Sequence, residues 1–156
     1  MIGAEAEELT VNQWRKPYIE NTDHSCKFTP NGYGFEVKIK KTLIETAGNI
    51  QVIGSNFIKT NQGQKYLMTF IASSDKAFQL ILDIQNDNDY RKRYLNDRSF
   101  DIPANKEEIY EAEFDGNPSI SALVMFKVGF APMGTVFKVR DIKIEHIDNN
   151  RNGRTK

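Results

Sequence analysis

Gln51, Gln79, Asp83 and Gln85 stand where a strand pattern turns them away from an apolar core. In Phe78-Gln79-Leu80-Ile81-Leu82-Asp83-Ile84-Gln85 every second residue is aliphatic or aromatic, so the two amides and the acid share one face. Amides and a carboxylate can satisfy several hydroxyls at once. Tyr18, Tyr90 and Tyr94 lie in loops or at strand ends, where flat rings supply platforms at the rim of a groove. Ile71, Ile81, Leu123 and Met125 interleave with the polar set and give such a groove an apolar floor. Neutral sugars, with apolar ring faces and a rim of hydroxyls, are the ligands this set suits. The same mixed face also suits packing against a neighbouring domain, which is the alternative reading.

Other chemistries find less support. His24 and His146 are far apart in the chain, and no paired histidines or metal-ligand spacing appear. There is no G-x-S-x-G, phosphate loop or dinucleotide fingerprint. Glu107/Glu108 and Glu111/Glu113 are carboxylate pairs of the kind a glycosidase needs, but Glu111 and Glu113 sit on one polar strand face and read as a solvated edge. No enzyme activity is expected, and a small jelly-roll lyase or hydrolase is the third reading. A single cysteine, Cys26, makes no internal disulfide and reads as a buried or half-buried thiol. Lys+Arg and Asp+Glu both number 21, for a formal net charge of +0, so no long-range field steers the chain onto nucleic acid or an anionic membrane. Neither partner is expected. No apolar run approaches the ~20 residues of a membrane span, and no secretory signal is visible at Met1-Ile2-Gly3.

The elements that must hold these residues are strands. Period-two alternation dominates the 156 residues, and helical periodicity is nearly absent. Gly34-Phe35-Glu36-Val37-Lys38-Ile39-Lys40 alternates apolar and charged, as do 66–72 and 78–85, which read as neighbouring strands joined through Ser73-Ser74-Asp75-Lys76. Strands at 109–114 and 121–130 flank the turn Asp115-Gly116-Asn117-Pro118. The polar stretch 86–101 reads as a long connection. Core parity falls on Phe28, Phe35, Phe70, Phe78, Phe114, Phe126 and Phe137, and Trp14 reads more readily as a plug of the core than as a ligand contact. This pattern predicts an all-β fold, an antiparallel β-sandwich or barrel, in one domain over 1–147 with a charged tail or linker remnant at 148–156.

A set of ordered motifs sharpens this. Trp14-Arg15-Lys16-Pro17-Tyr18 is followed by Asn49-Ile50-Gln51-Val52, then by Gly63-Gln64-Lys65-Tyr66 running to Phe70 and Ala72. The chain closes with Phe126-Lys127-Val128-Gly129 and Val139-Arg140-Asp141-Ile142. In order and spacing this resembles the family 4, 9 and 22 group of β-sandwich (jelly-roll) carbohydrate-binding modules. The resemblance implies non-catalytic binding of a β-linked polysaccharide or oligosaccharide, of the xylan or β-glucan class, by an extracellular or cell-surface module attached to a glycoside hydrolase. It places sugar-stacking residues near Tyr18 and Tyr90, and counts Lys127, where some relatives carry a glutamine, among the sugar-binding residues. It also implies a structural calcium ion between Asp141 and an N-terminal acid, Glu7 among Glu5, Glu7 and Glu8. Arg140, in place of an expected acid, could instead pair with those glutamates.

Overall fold

The computed structural model describes residues 8–86, 92–116 and 119–147. Twelve strands account for most of them: β1 (Glu8–Leu9), β2 (Tyr18–Ile19), β3 (Ser25–Asn31), β4 (Gly34–Lys41), β5 (Ile50–Ile53), β6 (Ile58–Thr60), β7 (Lys65–Ser74), β8 (Phe78–Asn86), β9 (Arg93–Ile102), β10 (Glu108–Asp115), β11 (Ser119–Lys127) and β12 (Val136–Ile147). They form two antiparallel sheets. One runs β10-β7-β12-β4-β3 with β1 on β12, and the other runs β2-β5-β11-β8-β9 with β6 on β11. The expected all-β sandwich is what the chain forms.

Alternation gives each sheet an inner face, and the inner faces meet. Phe35, Val37 and Ile39 of β4, Met68 and Phe70 of β7, and Phe137 and Ile144 of β12 are buried from one side. Ile50 and Val52 of β5, Val124 and Phe126 of β11, and Leu80, Leu82 and Ile84 of β8 are buried from the other. Phe126 joins the layers, its ring centroid 5.2 Å from Phe35 and 5.4 Å from Phe70 in edge-on contacts. Each such side chain contributes about 1.5–3 kcal/mol by leaving water. Trp14 closes one side as a plug, as expected. Its ring meets Phe35 at 5.1 Å, and its Nε1 donates to the Gly32 carbonyl at 2.9 Å. Gly34 has no substitute, because a Cβ there would lie 2.0 Å from the Val139 carbonyl oxygen.

Two expectations about organisation are corrected. First, β7 and β8 are not neighbours. The segment between Ser74 and Phe78 crosses from one sheet to the other and is pinned by Asp75, whose N–H donates to the Val136 carbonyl at 3.3 Å and whose Oδ1 accepts from Val136 N at 2.8 Å. β10 and β11 likewise lie in different sheets. Ile71 therefore lies on the opposite outer face from Ile81, Leu123 and Met125. Second, most of 86–101 is strand rather than connection. β9 pairs with β8 from Phe78↔Ile102 to Gln85↔Arg93, with register shifts around Ile84. Glu111 and Glu113 are exposed on β10, an edge strand, as the solvated-edge reading expects. The tail 148–156 lies outside the described residues.

Candidate functional site

The outer face of the β2-β5-β11-β8-β9 sheet gathers the polar residues singled out from the sequence. One row crosses all five strands in register: Tyr18 opposite Gln51, Gln51 opposite Lys127, Lys127 opposite Ile81, and Ile81 opposite Ser99. A second row sets Ile53 against Met125 and Met125 against Asp83, and a third sets Leu123 against Gln85 and Gln85 against Arg93. Directly opposed side chains in an antiparallel pair stand about 4.5–5.5 Å apart, so each row is a continuous strip.

Three residues of this outer face are apolar and buried. Leu123 is 0%, Met125 7% and Ile53 8% exposed, and they form a cluster separate from the sandwich core. On a solvated sheet face, aliphatic side chains normally remain partly wet. These three side chains form a small second apolar layer, packed almost wholly beneath the outer surface of this sheet.

Beside this cluster lies an ion network. Asp83 has no exposed surface, yet its carboxylate contacts the ammonium of Lys127 and lies 3.4 Å from Arg93 Nη1. Its Oδ1 also accepts the Asp97 N–H at 2.5 Å. Asp97 takes a left-handed backbone, with φ 52°, to present that N–H; Asp tolerates this conformation better than most residues. The Asp97 carboxylate lies 3.7 Å from Arg93 and 3.8 Å from Lys127, and Arg93 donates to Asn96 Oδ1 at 2.7 Å. A buried carboxylate is tolerated only with partners of this kind.

At the rim, Tyr18 is 45% exposed and donates its hydroxyl to Glu20 Oε2 at 3.0 Å. That hydrogen bond, with the charge of Glu20, raises the phenol above its usual pKa of 10.0 and keeps it protonated. Gln51 donates Nε2 to the Gly48 carbonyl at 3.0 Å, which orients its amide. Gln79 is exposed at the far end of β8, opposite Asp101, and Gln85 is half-buried.

The structure thus puts Tyr18, Gln51, Gln79, Asp83, Gln85 and Lys127 on one face. Tyr94 departs from expectation: its ring packs against the core and its hydroxyl is buried without a hydrogen-bond partner, so it is not a rim platform. The register shifts of β9 turn both Tyr94 and Leu95 inward. Tyr90 and Glu7 lie outside the described residues. Ile53, Arg93 and Asp97 were missed. Ile53 carried a signal, since it shares the parity of Gln51, whereas Arg93 and Asp97 were hidden in a strand whose alternation is broken.

Of the two expected calcium ligands, Glu7 lies outside the described residues, and Asp141 is engaged by an arginine. Asp141 sits on the other sheet, in the bulge of β12 between Arg140 and Lys143, with φ 55°. Its Oδ2 accepts from Arg140 Nη1 at 2.6 Å, and Arg140 also reaches Glu107 through Nη2 at 2.9 Å and Nε at 3.2 Å. The first described N-terminal acid, Glu8, lies opposite Glu145 rather than Asp141. No three acidic, histidine or cysteine side chains gather among the described residues, whereas calcium takes six to eight oxygens. Among the described residues no helix is long and apolar enough to cross a membrane.

The architecture is an antiparallel β-sandwich of a kind also seen in carbohydrate-binding modules. The chain is similar to CBM1 of BiXyn10A in its apo form, at 16% identity and a TM-score of 0.68, over 90% of this chain and 97% of that one. It is similar to the N-terminal cellulose-binding domain of Cellulomonas fimi β-1,4-glucanase C, at 12% identity and a TM-score of 0.59, over 88% and 90%. It also resembles the CBM22-1-GH10 modules of Clostridium thermocellum endo-1,4-β-D-xylanase 10B complexed with xylohexaose, at 11% identity and a TM-score of 0.57, over 93% of this chain and 28% of that one. No protein-family model matches the chain, and no curated protein does. At these identities the likeness is one of fold.

Proposed function

We propose that this protein binds a β-linked polysaccharide of the xylan or β-glucan class without cleaving it, on the outer face of the β2-β5-β11-β8-β9 sheet. The observation that carries this reading is the dry cluster of Ile53, Leu123 and Met125 on an outer sheet face, bordered by the in-register row Tyr18–Gln51–Lys127. The buried cluster holds the face in shape from beneath, Tyr18 stacks on a sugar ring at the rim, and the amides of the face take the hydroxyls. The shared sandwich fold supports the same reading. In this role the module is part of a longer extracellular protein and holds an attached glycoside hydrolase at its substrate. The gain comes from effective concentration, with no new contact at the catalytic centre.

Affinity electrophoresis against xylan, mixed-linkage β-glucan, laminarin, hydroxyethylcellulose and mannan tests this. Retardation by at least one of them, without release of reducing sugar, is the expected result. Free migration in all five gels overturns the proposal, and reducing-sugar release would make the protein an enzyme.

A further inference from the structure

We propose that Asp83 and Asp97 are the residues that restrict this face to uncharged stretches of glycan, Asp83 by positioning Lys127 and Arg93 rather than by touching sugar. The proposal rests on the polysaccharide-binding reading and concerns which chains the face accepts. Asp83 has no exposed surface, so it lies beneath the face and not on it. Its oxygens contact Lys127, Arg93 and the Asp97 N–H, drawing β8, β9 and β11 together at the middle of the sheet. The side chains of Lys127 and Arg93 are 15% and 26% exposed, so both reach the surface of the face.

Unpaired, two partly buried cations would form charge-assisted hydrogen bonds with a uronate or any other carboxylate along a glycan. Here each cation faces two carboxylates, Asp83 and Asp97, and the four side chains balance two positive charges against two negative ones. The charge of Lys127 and Arg93 is spent internally. Asp97, with a 61% exposed side chain, adds a carboxylate at the surface that repels an incoming anion.

The test compares glycans sharing a backbone but differing in charge: hydroxyethylcellulose with carboxymethylcellulose, and arabinoxylan with glucuronoxylan. Wild-type protein is expected to favour the neutral member of the pair it binds, with affinity changing less than about twofold between about 20 and 500 mM NaCl. Asp97→Asn preserves a residue that accepts φ 52° and removes one anion. It is expected to shift the anionic-to-neutral affinity ratio about fivefold toward the anionic member at low salt, and the shift should vanish at high salt. Asp83→Asn should do the same more strongly if it folds, and the Asp97 variant decides the matter if it does not. Wild-type preference for the anionic member, or an unchanged ratio in a folded Asp97→Asn protein, overturns the inference while leaving polysaccharide binding intact. Failure of the wild type to bind any of the four overturns this inference, and polysaccharide binding falls with it only if the five glycans of the electrophoresis panel also fail to retard the protein.

Discussion

The two outer faces of the sandwich are built from the same alternating strands and have opposite characters. On the β2-β5-β11-β8-β9 side, aliphatic side chains are dry and a carboxylate is fully buried between cations. On the β10-β7-β12-β4-β3 side, the charged pairs are exposed: Lys138 with Glu36 at 3.8 Å, both about half exposed or more, and Arg140 with Glu107. Ile109, 69% exposed on β10, lines an open hollow on this side with Tyr33, Ile71 and Ile142. Burial on the first face costs desolvation that a merely solvated surface avoids. A protein that used both faces only as solvent boundaries would not need the first arrangement.

The comparison breaks most visibly at the ion pairs. Lys127→Met leaves Asp83 buried with Arg93 as its remaining cation. It is expected to lower stability by about 3 kcal/mol in denaturant titration, the scale for removing one partner of a buried pair. Lys138→Met on the other face should stay within about 0.5 kcal/mol. Equal losses in the two variants would mean that the two faces do not differ in the way their exposures indicate.

Next come the aromatic rims. Tyr18 and Tyr33 are 45% and 49% exposed, on opposite faces. If the binding surface is the first face, Tyr18→Ala should weaken polysaccharide binding by about 1–2 kcal/mol in calorimetry. Its melting temperature should hardly move, because the ring adds little to the core. Tyr33→Ala should leave affinity unchanged. A loss that follows Tyr33 instead would move the site to the other sheet.

How much of this was readable from the chain depends on which physical pattern carried it. Parity was readable: Phe78, Leu80, Leu82 and Ile84 point in, and Gln79, Asp83 and Gln85 point out, as alternation requires. Sheet membership was not. Strands of either layer alternate in the same way, so nothing in the pattern of 66–72 and 78–85 tells a hairpin from a crossing between layers. β9 was obscured for another reason. Its register shifts and the left-handed Asp97 break the alternation, which made a strand look like a polar loop and put Tyr94 on the wrong side. The depth of Asp83 was also unreadable, because an outward position does not reveal that its neighbours close over it.

A smaller effect belongs to the second face. The Arg140 guanidinium holds the Glu107 carboxyl below its ordinary value of 4.5. A group depressed in the fold contributes stability that is fully present above its unfolded pKa and is lost as pH falls through the folded one. Between about pH 5 and pH 3, Glu107→Gln should therefore flatten the fall of the melting temperature, and only slightly, since the pair is exposed. An identical pH profile in the two proteins would show that the pair contributes nothing in solution.

The smallest effect expected is none at all, on adding a chelator. A calcium ion clipping the termini needs Asp141 as a ligand, and that carboxylate already accepts from Arg140 Nη1 at 2.6 Å while the same guanidinium is held by Glu107. Bringing a divalent cation to Asp141 would place it beside a guanidinium whose own pKa is raised by Glu107 and Asp141, and like charges at that range repel. The melting midpoint in excess EDTA should therefore equal that in millimolar calcium, and Arg140→Ala should melt alike in both. A midpoint several degrees lower in EDTA would place a metal clip elsewhere in the chain. A calcium-dependent rise that appears only in Arg140→Ala would show that the arginine has taken the place of the ion.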